Sequence, residues 1–208
     1  PKREALFLGS KCIGTYRDFW LAVCALRAHL EKEGIKLGDR IAVYLPNCPE
    51  FLVAFYAVWS MGAVIVPINF KLHTREVSWI LENAECSYVL GDAVLSSKIN
   101  MPEVTVFTPK WEHLSIGEEL SPVSCSFNDL AWLFYTSGTT GKPKGVMITH
   151  GMIKTMALSY FADVDQVYSS DTTLYAAPMS HGAGLYSIMH VLAGSRHAIP
   201  LSGGFDEE

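Results

Sequence analysis

Tyr135-Thr136-Ser137-Gly138-Thr139-Thr140-Gly141-Lys142-Pro143-Lys144-Gly145 follows directly on the apolar run Leu130-Ala131-Trp132-Leu133-Phe134. Glycines let a backbone approach a ligand closely and take positive φ. Consecutive backbone N–H groups in such a loop form a concave anion site. The hydroxyls of Thr136, Ser137, Thr139 and Thr140 add donors, and Lys142 and Lys144 add positive charge. Phosphate is the ligand that this set of groups suits. A plain hairpin loop with no ligand would need neither this length nor this density of donors.

The P-loop of kinases and ATPases makes an informative contrast. That motif runs G-x-x-x-x-G-K-[ST] and opens a helix at its last residues. Here Gly141-Lys142 is followed by Pro143, and Val146-Met147-Ile148-Thr149 reads as a second strand. The expectation is therefore strand, loop, strand, with strands over 131–136 and 146–149 and no helix dipole aimed at the phosphates.

Working outward, the chain of 208 residues can bury roughly 70% of its unfolded surface in one core. Hydrophobic residues make up 50% and charged residues 18%, the latter below the typical ~25%. That shortage of charge predicts that part of the surface is covered. A net charge of −5 with scattered lysines offers no basic stripe, which argues against nucleic acid as a partner. Cys12, Cys24, Cys48, Cys86 and Cys125 form no C-x-x-C pair and leave an odd thiol over. Free thiols in a reducing, cytoplasmic setting are the expectation. The 7 histidines lack zinc-site spacing, so no structural metal is expected.

The uncharged run from Phe51 to Ile68 is long enough for a membrane helix to be considered. Pro49 suits a helix start, Gly62 interrupts the run and Pro67 would break a spanning helix. A buried helix over 50–61, a turn and a strand over 63–67 account for the same residues, so no transmembrane segment is expected.

Thr15 followed by Asp18 reads as a capping box. Phe19, Val23, Leu26 and Leu30 then recur at helical spacing until Gly34. The continuously apolar Ile41 to Leu45 suits a strand buried on both faces. A helix over 74–83 and strands over 87–90 and 104–107 follow. Helix alternating with strand predicts an α/β layered architecture with a largely parallel sheet. Residues 109–129 have little periodicity and read as a linking loop, so substructures are expected over 1–108 and 130–208. The latter continues with a helix over 150–161, a strand over 173–177, a helix over 183–193 closed by Gly194, and a strand over 196–200. The aromatics Phe51, Phe55, Trp59 and Trp132 read as core.

A second constellation, Pro178-Met179-Ser180-His181-Gly182, lies between a predicted strand and helix. Active sites in α/β sheets gather at the carboxyl ends of strands, which makes His181 a candidate. Taken alone, a histidine capping or packing at a helix start is the better explanation, and the order of the motifs along the chain reverses that preference. His150, His190 and His197 are assigned no chemistry.

YTSGTTGKPKG resembles the phosphate-binding signature of the adenylate-forming (AMP-binding) superfamily: acyl-CoA synthetases, luciferases and peptide-synthetase adenylation domains. Thr15 to Phe19, Gly38 to Val43, Asn47 to Glu50, Met61 to Val64 and Val66 to Asn69 also resemble that family's N-terminal region, in its order. The resemblance implies a partial N-terminal domain of an acid–CoA ligase. ATP and a carboxylic acid, fatty acids among the candidates, would form an acyl-adenylate, and coenzyme A would then displace AMP. Thr136, Ser137, Gly138, Thr139, Thr140, Gly141, Lys142 and Lys144 would hold the β- and γ-phosphates, and Thr136 would also serve the magnesium ion. The Pro178–Gly182 segment resembles the P-x-x-H segment of acyl-CoA synthetases, placing His181 and Gly182 beside the substrate carboxylate and the path of the thiol. No residue of the chain is assigned as the catalytic lysine. That group, the ribose-binding aspartate and a Y-G-x-T-E segment are expected in a remainder of the parent polypeptide, without which the chain is expected to be inactive. A noncatalytic nucleotide-binding or interaction module, a peptide-synthetase adenylation domain and a luciferase-like oxygenase are the other readings.

Overall fold

The computed structural model of the chain describes residues 2–114, 118–136 and 142–205. Strands β1 (Glu4–Leu8) and β2 (Lys11–Thr15) precede helix α1 (Tyr16–Lys32). The capping box forms: the Asp18 N–H donates to Thr15 Oγ1 at 3.3 Å, and the Thr15 N–H donates to Asp18 Oδ2 at 2.8 Å. The backbone hydrogen bond from Thr15 holds the Asp18 carboxyl below its ordinary pKa. Next come β3 (Arg40–Tyr44), α2 (Pro49–Ser60), β4 (Val64–Pro67), α3 (Thr74–Asn83) and β5 (Tyr88–Gly91). Two short helices, α4 (Ala93–Ser96) and α5 (Trp111–Leu114), flank β6 (Thr105–Phe107). The chain then forms β7 (Leu130–Thr136), β8 (Lys144–Thr149), α6 (His150–Asp163), β9 (Thr172–Leu174), α7 (Gly182–Ala193) and β10 (Arg196–Ile199). Gly194 ends α7 at φ +70°, a left-handed cap that a side chain would strain.

Among the described residues the strands make two sheets, ordered β6-β5-β3-β4-β7-β8 and β2-β1-β10-β9. All pairings in the first are parallel except β7 with β8, and all in the second are parallel except β1 with β2. The largely parallel α/β reading of the sequence holds. The inner strands β3, β4 and β5 of the first sheet are buried on both faces. Ile41, Val43 and Ile65 pack with α1 and α2 in one cluster that reaches β1, Tyr175 and Ile199. Ala42, Val64 and Val66 pack against Val77, Ile80 and Leu81 of α3 in the other. The run from Phe51 to Ile68 is thus a buried helix and strand, with Pro49 in the first helical turn. No helix among the described residues is long and apolar enough to cross a membrane.

Several details depart from the sequence expectations. Periodicity did not show β1 and β2: only Ala5 and Leu6 of β1 are fully buried, and the strand is fixed by parallel pairing with β10, far along the chain. β9 stops at Leu174 rather than extending to 177, because the carbonyls of Tyr175 and Ala177 turn to the Asn47 side chain. Within 109–129, α5 forms, and Arg27 Nη1 donates to Ser121 O (2.8 Å) and Ser60 O (3.0 Å). The two sheets do not divide along that segment. β7 and β8 extend the sheet of β3–β6, and β10 pairs with β1.

Candidate functional site

The hairpin is built as its letters suggest. β7 and β8 pair antiparallel from Leu130↔Thr149 to Thr136↔Lys144, so a strand and not a helix follows Lys142-Pro143. Ser137, Gly138, Thr139, Thr140 and Gly141 lie outside the described residues. Thr136 is exposed at the end of β7, with Lys144 directly across from it. Cross-strand partners project to the same side of a sheet, so the hydroxyl and the ammonium share one face. Gly145 opposes Tyr135, and a Cβ there would meet the tyrosine ring at 3.0 Å, closer than side chains pack. The last glycine of the motif therefore makes room for Tyr135.

The Pro178–Gly182 segment reaches this end of the sheet from β9. His181 is half-buried, its Nδ1 3.2 Å from Ser180 Oγ, and its ring meets the Phe134 ring edge-on at 5.5 Å. It serves as N-cap of α7 without a capping side-chain hydrogen bond. A plain capping role is thus absent from its contacts. Thr136, Pro143 and His181 line one cavity of about 130 Å³, closed by Pro67, Asn69 and Tyr135 among others. His181 also lines a neighbouring hollow of about 430 Å³, with Gly182, Ala183 and Tyr186. One imidazole therefore stands between two cavities. The two halves of the sequence motif set meet in space.

Lys142 goes elsewhere. Its Nζ sits 4.0 Å from the centroid of the Trp79 ring, on the α3 side.

Asn47 is the residue that sequence reasoning missed. It is buried, and its Nδ2 donates to Tyr175 O and Ala177 O, each at 2.9 Å, while its Oδ1 accepts the Met179 N–H at 2.9 Å. Every hydrogen-bonding position of that amide except one lone pair is engaged in holding the turn that presents His181. Gly184 finishes the turn, since a Cβ there would collide with the Met179 carbonyl. The clue in the letters was a lone amide in Pro46-Asn47-Cys48-Pro49, between a strand and a helix.

His150 and His197 lie away from this cavity. His150 donates its backbone N–H to Asp129 O at 3.0 Å, whereas its buried Nε2 has no partner among the described residues. His197 is fully buried, with Nδ1 2.7 Å from Tyr175 Oη and Nε2 3.1 Å from Tyr16 Oη. Tyr16 donates its own proton to Ser195 O at 2.6 Å. Its oxygen is thus left to accept, which puts the His197 proton on Nε2 and makes Nδ1 the acceptor from Tyr175. Burial, reinforced by His190, pushes the His197 pKa down to about 3.

The fold is a layered α/β one with largely parallel sheets, and the glycine–hydroxyl hairpin and the Pro178–Gly182 turn meet at one end of it. The chain belongs to the AMP-binding enzyme family, whose profile matches residues 1–205. It is 36% identical over 168 residues to a long-chain-fatty-acid–CoA ligase, FadD13, of Mycobacterium tuberculosis, covering 75% of this chain and 33% of that protein. Feruloyl-CoA synthase of an Amycolatopsis species is 31% identical over 182 residues, covering 82% of the chain and 35% of the relative. The chain thus spans about a third of the length of these curated relatives. Among solved structures, the N-terminal domain of FACL13 from M. tuberculosis superposes with a TM-score of 0.85 at 30% identity, over 99% of this chain and 54% of that one. O-succinylbenzoate coenzyme A synthetase (MenE) of Bacillus subtilis, in complex with ATP and magnesium ion, matches with a TM-score of 0.85 at 25% identity, over 100% and 55%.

Proposed function

We propose that the protein carrying this chain is an ATP-dependent acid–CoA ligase, and that this chain supplies its polyphosphate site and part of its acyl and thiol pocket. The observation that carries the reading is the convergence of Thr136, at the mouth of the glycine–hydroxyl loop, with His181 on one cavity of about 130 Å³. The reaction would join a carboxylate to the α-phosphate of ATP, release pyrophosphate and pass the acyl group to coenzyme A. Two anions must be brought together in line, so placement and charge neutralisation are the demands on the protein. Lys144 and the Thr136 hydroxyl, sharing one face of the hairpin, are suited to the phosphates. His181, between two cavities, is suited to orient the carboxylate on one side and leave a path for the thiol on the other.

Magnesium fits this donor set in a limited way. Among the described residues no three His, Cys, Asp or Glu side chains come together. A hard cation would therefore take Thr136 as one hydroxyl oxygen and most of its ligands from phosphates and water. When bound it would supply charge neutralisation on the leaving pyrophosphate. The acid is proposed only as a carboxylic acid, since the relatives are a long-chain-fatty-acid ligase, a feruloyl-CoA synthase and a crotonobetaine/carnitine–CoA ligase. The five cysteines are free thiols.

The test is Lys144→Ala in the whole protein, assayed in two halves. Carboxylate-dependent pyrophosphate exchange should fall by about 10²-fold or more, while thioester formation from supplied acyl-adenylate changes little. Equal loss in both halves would argue against a phosphate role.

A further inference from the structure

The hairpin has two faces, and the structure uses them differently. On one face lie Thr136, Lys144 and Phe134, with Phe134 against His181. Tyr135 points to the other, where α3 packs, and its hydroxyl donates to Asn83 Oδ1 at 2.7 Å. One helical turn earlier, Trp79 Nε1 donates to the carbonyl of Pro143 at 3.2 Å, and the Lys142 ammonium lies over the same indole at 4.0 Å. Residues four apart on a helix share a face. Trp79 and Asn83 thus grip the descending and the ascending arm of the hairpin from a single side of α3.

We propose that the two lysines of the motif divide the work. Lys144 serves the phosphates, whereas Lys142, with Trp79 and Asn83, anchors the two arms of the hairpin to α3 and sets where Lys144 and Thr136 stand. Trp79, Asn83 and Lys142 are on this assignment positioning residues. The Lys144 half rests on the phosphate reading above; the anchor half rests on the contacts alone. Cation–π attraction and an indole hydrogen bond on adjoining residues make one unit, since each keeps the ring where the other needs it.

The experiment pairs two readouts on this protein and its Lys142→Met, Lys144→Met, Trp79→Phe and Trp79→Leu variants. Amide exchange of the 142–146 backbone should speed up by about two- to fivefold in Lys142→Met, the size of an exposed cation–π contact. Trp79→Leu should do at least as much, Trp79→Phe should fall between, and Lys142→Met/Trp79→Leu should be no faster than Trp79→Leu alone. Calorimetric titration with inorganic tripolyphosphate at two salt concentrations supplies the second readout. Lys144→Met should weaken binding and flatten its salt dependence, and Lys142→Met should leave the salt dependence at the wild-type value. An equal flattening by both lysine variants, or exchange effects of Lys142→Met and Trp79→Leu that multiply in the double variant, would overturn the division of labour. Failure of the wild-type protein to bind tripolyphosphate would overturn the phosphate reading and the Lys144 assignment with it, while amide exchange would still decide the anchor.

Discussion

β3 and β8 belong to the same sheet and are held by opposite means. Ile41, Ala42 and Val43 are wholly buried, with apolar neighbours on both faces. Val146 is 50% exposed and Met147 65%. The inner strand is fixed by apolar area that water has lost, a non-directional force that tolerates conservative exchange but not truncation. β8, the outer arm of the hairpin, is fixed by the ladder to β7 and by a directional contact from α3, which set geometry more than stability. The candidate site sits where the sheet stops being core.

The largest effect should come from the buried side. Phe55, wholly buried among Phe51, Trp59 and Trp132, should cost about 3–5 kcal/mol when changed to alanine, read as a lowered urea midpoint at unchanged slope. Val146→Ala belongs at the other end of the scale, within about 0.5 kcal/mol of the parent. Comparable losses from the two would break the contrast.

Asn47 sharpens the comparison because it joins the regions. Asn47→Ala removes three hydrogen bonds and leaves buried carbonyls unpaired, which should cost about 2–3 kcal/mol. On the proposed function, release of the turn should also raise the KM for the acid in the whole enzyme, as His181 loses its placement. An unchanged KM would show that the turn is held by its backbone alone.

Acid tests the second sheet. The unfolded chain protonates His197 at an ordinary histidine pKa, whereas the folded chain resists until about 3. The stability it contributes is whole above about pH 6.5 and is lost on acidification towards 3, at up to about 1.4 kcal/mol per pH unit. Charging the ring also places a proton on Nδ1, where Tyr175 now donates. Urea midpoints at pH 7 and 5 should show that slope in the parent and lose it in a His197→Phe variant. A smaller loss, about 1 kcal/mol, is expected for Thr15→Ala at the head of α1, by thermal melting.

Local patterns announced most of this fold. The capping box at Thr15 and Asp18, Pro49 opening α2, and the unbroken apolar letters of β3 and β4 each describe forces acting within a few residues, and each element formed there. The motif likewise announced a strand–loop–strand unit, and Pro143 with Val146 kept a helix out of it. Less visible was anything that depends on a distant partner. β1 is a strand because β10 lies beside it, and β9 ends because Asn47 takes its next carbonyls. The two lysines read alike in the letters, yet one lies on Trp79 and the other opposite Thr136.

By itself the sequence determined which segments would be buried, where the longer helices begin, and that one loop concentrates phosphate-seeking groups. Those properties follow from short-range sterics, capping and apolar periodicity. Only the tertiary structure decided which face of the hairpin each lysine serves, that His181 and Thr136 border one cavity, and that an asparagine more than a hundred residues away holds the histidine's turn. Hydrogen bonds and ring contacts act over a few ångströms in space, and chain order places no such limit on their partners.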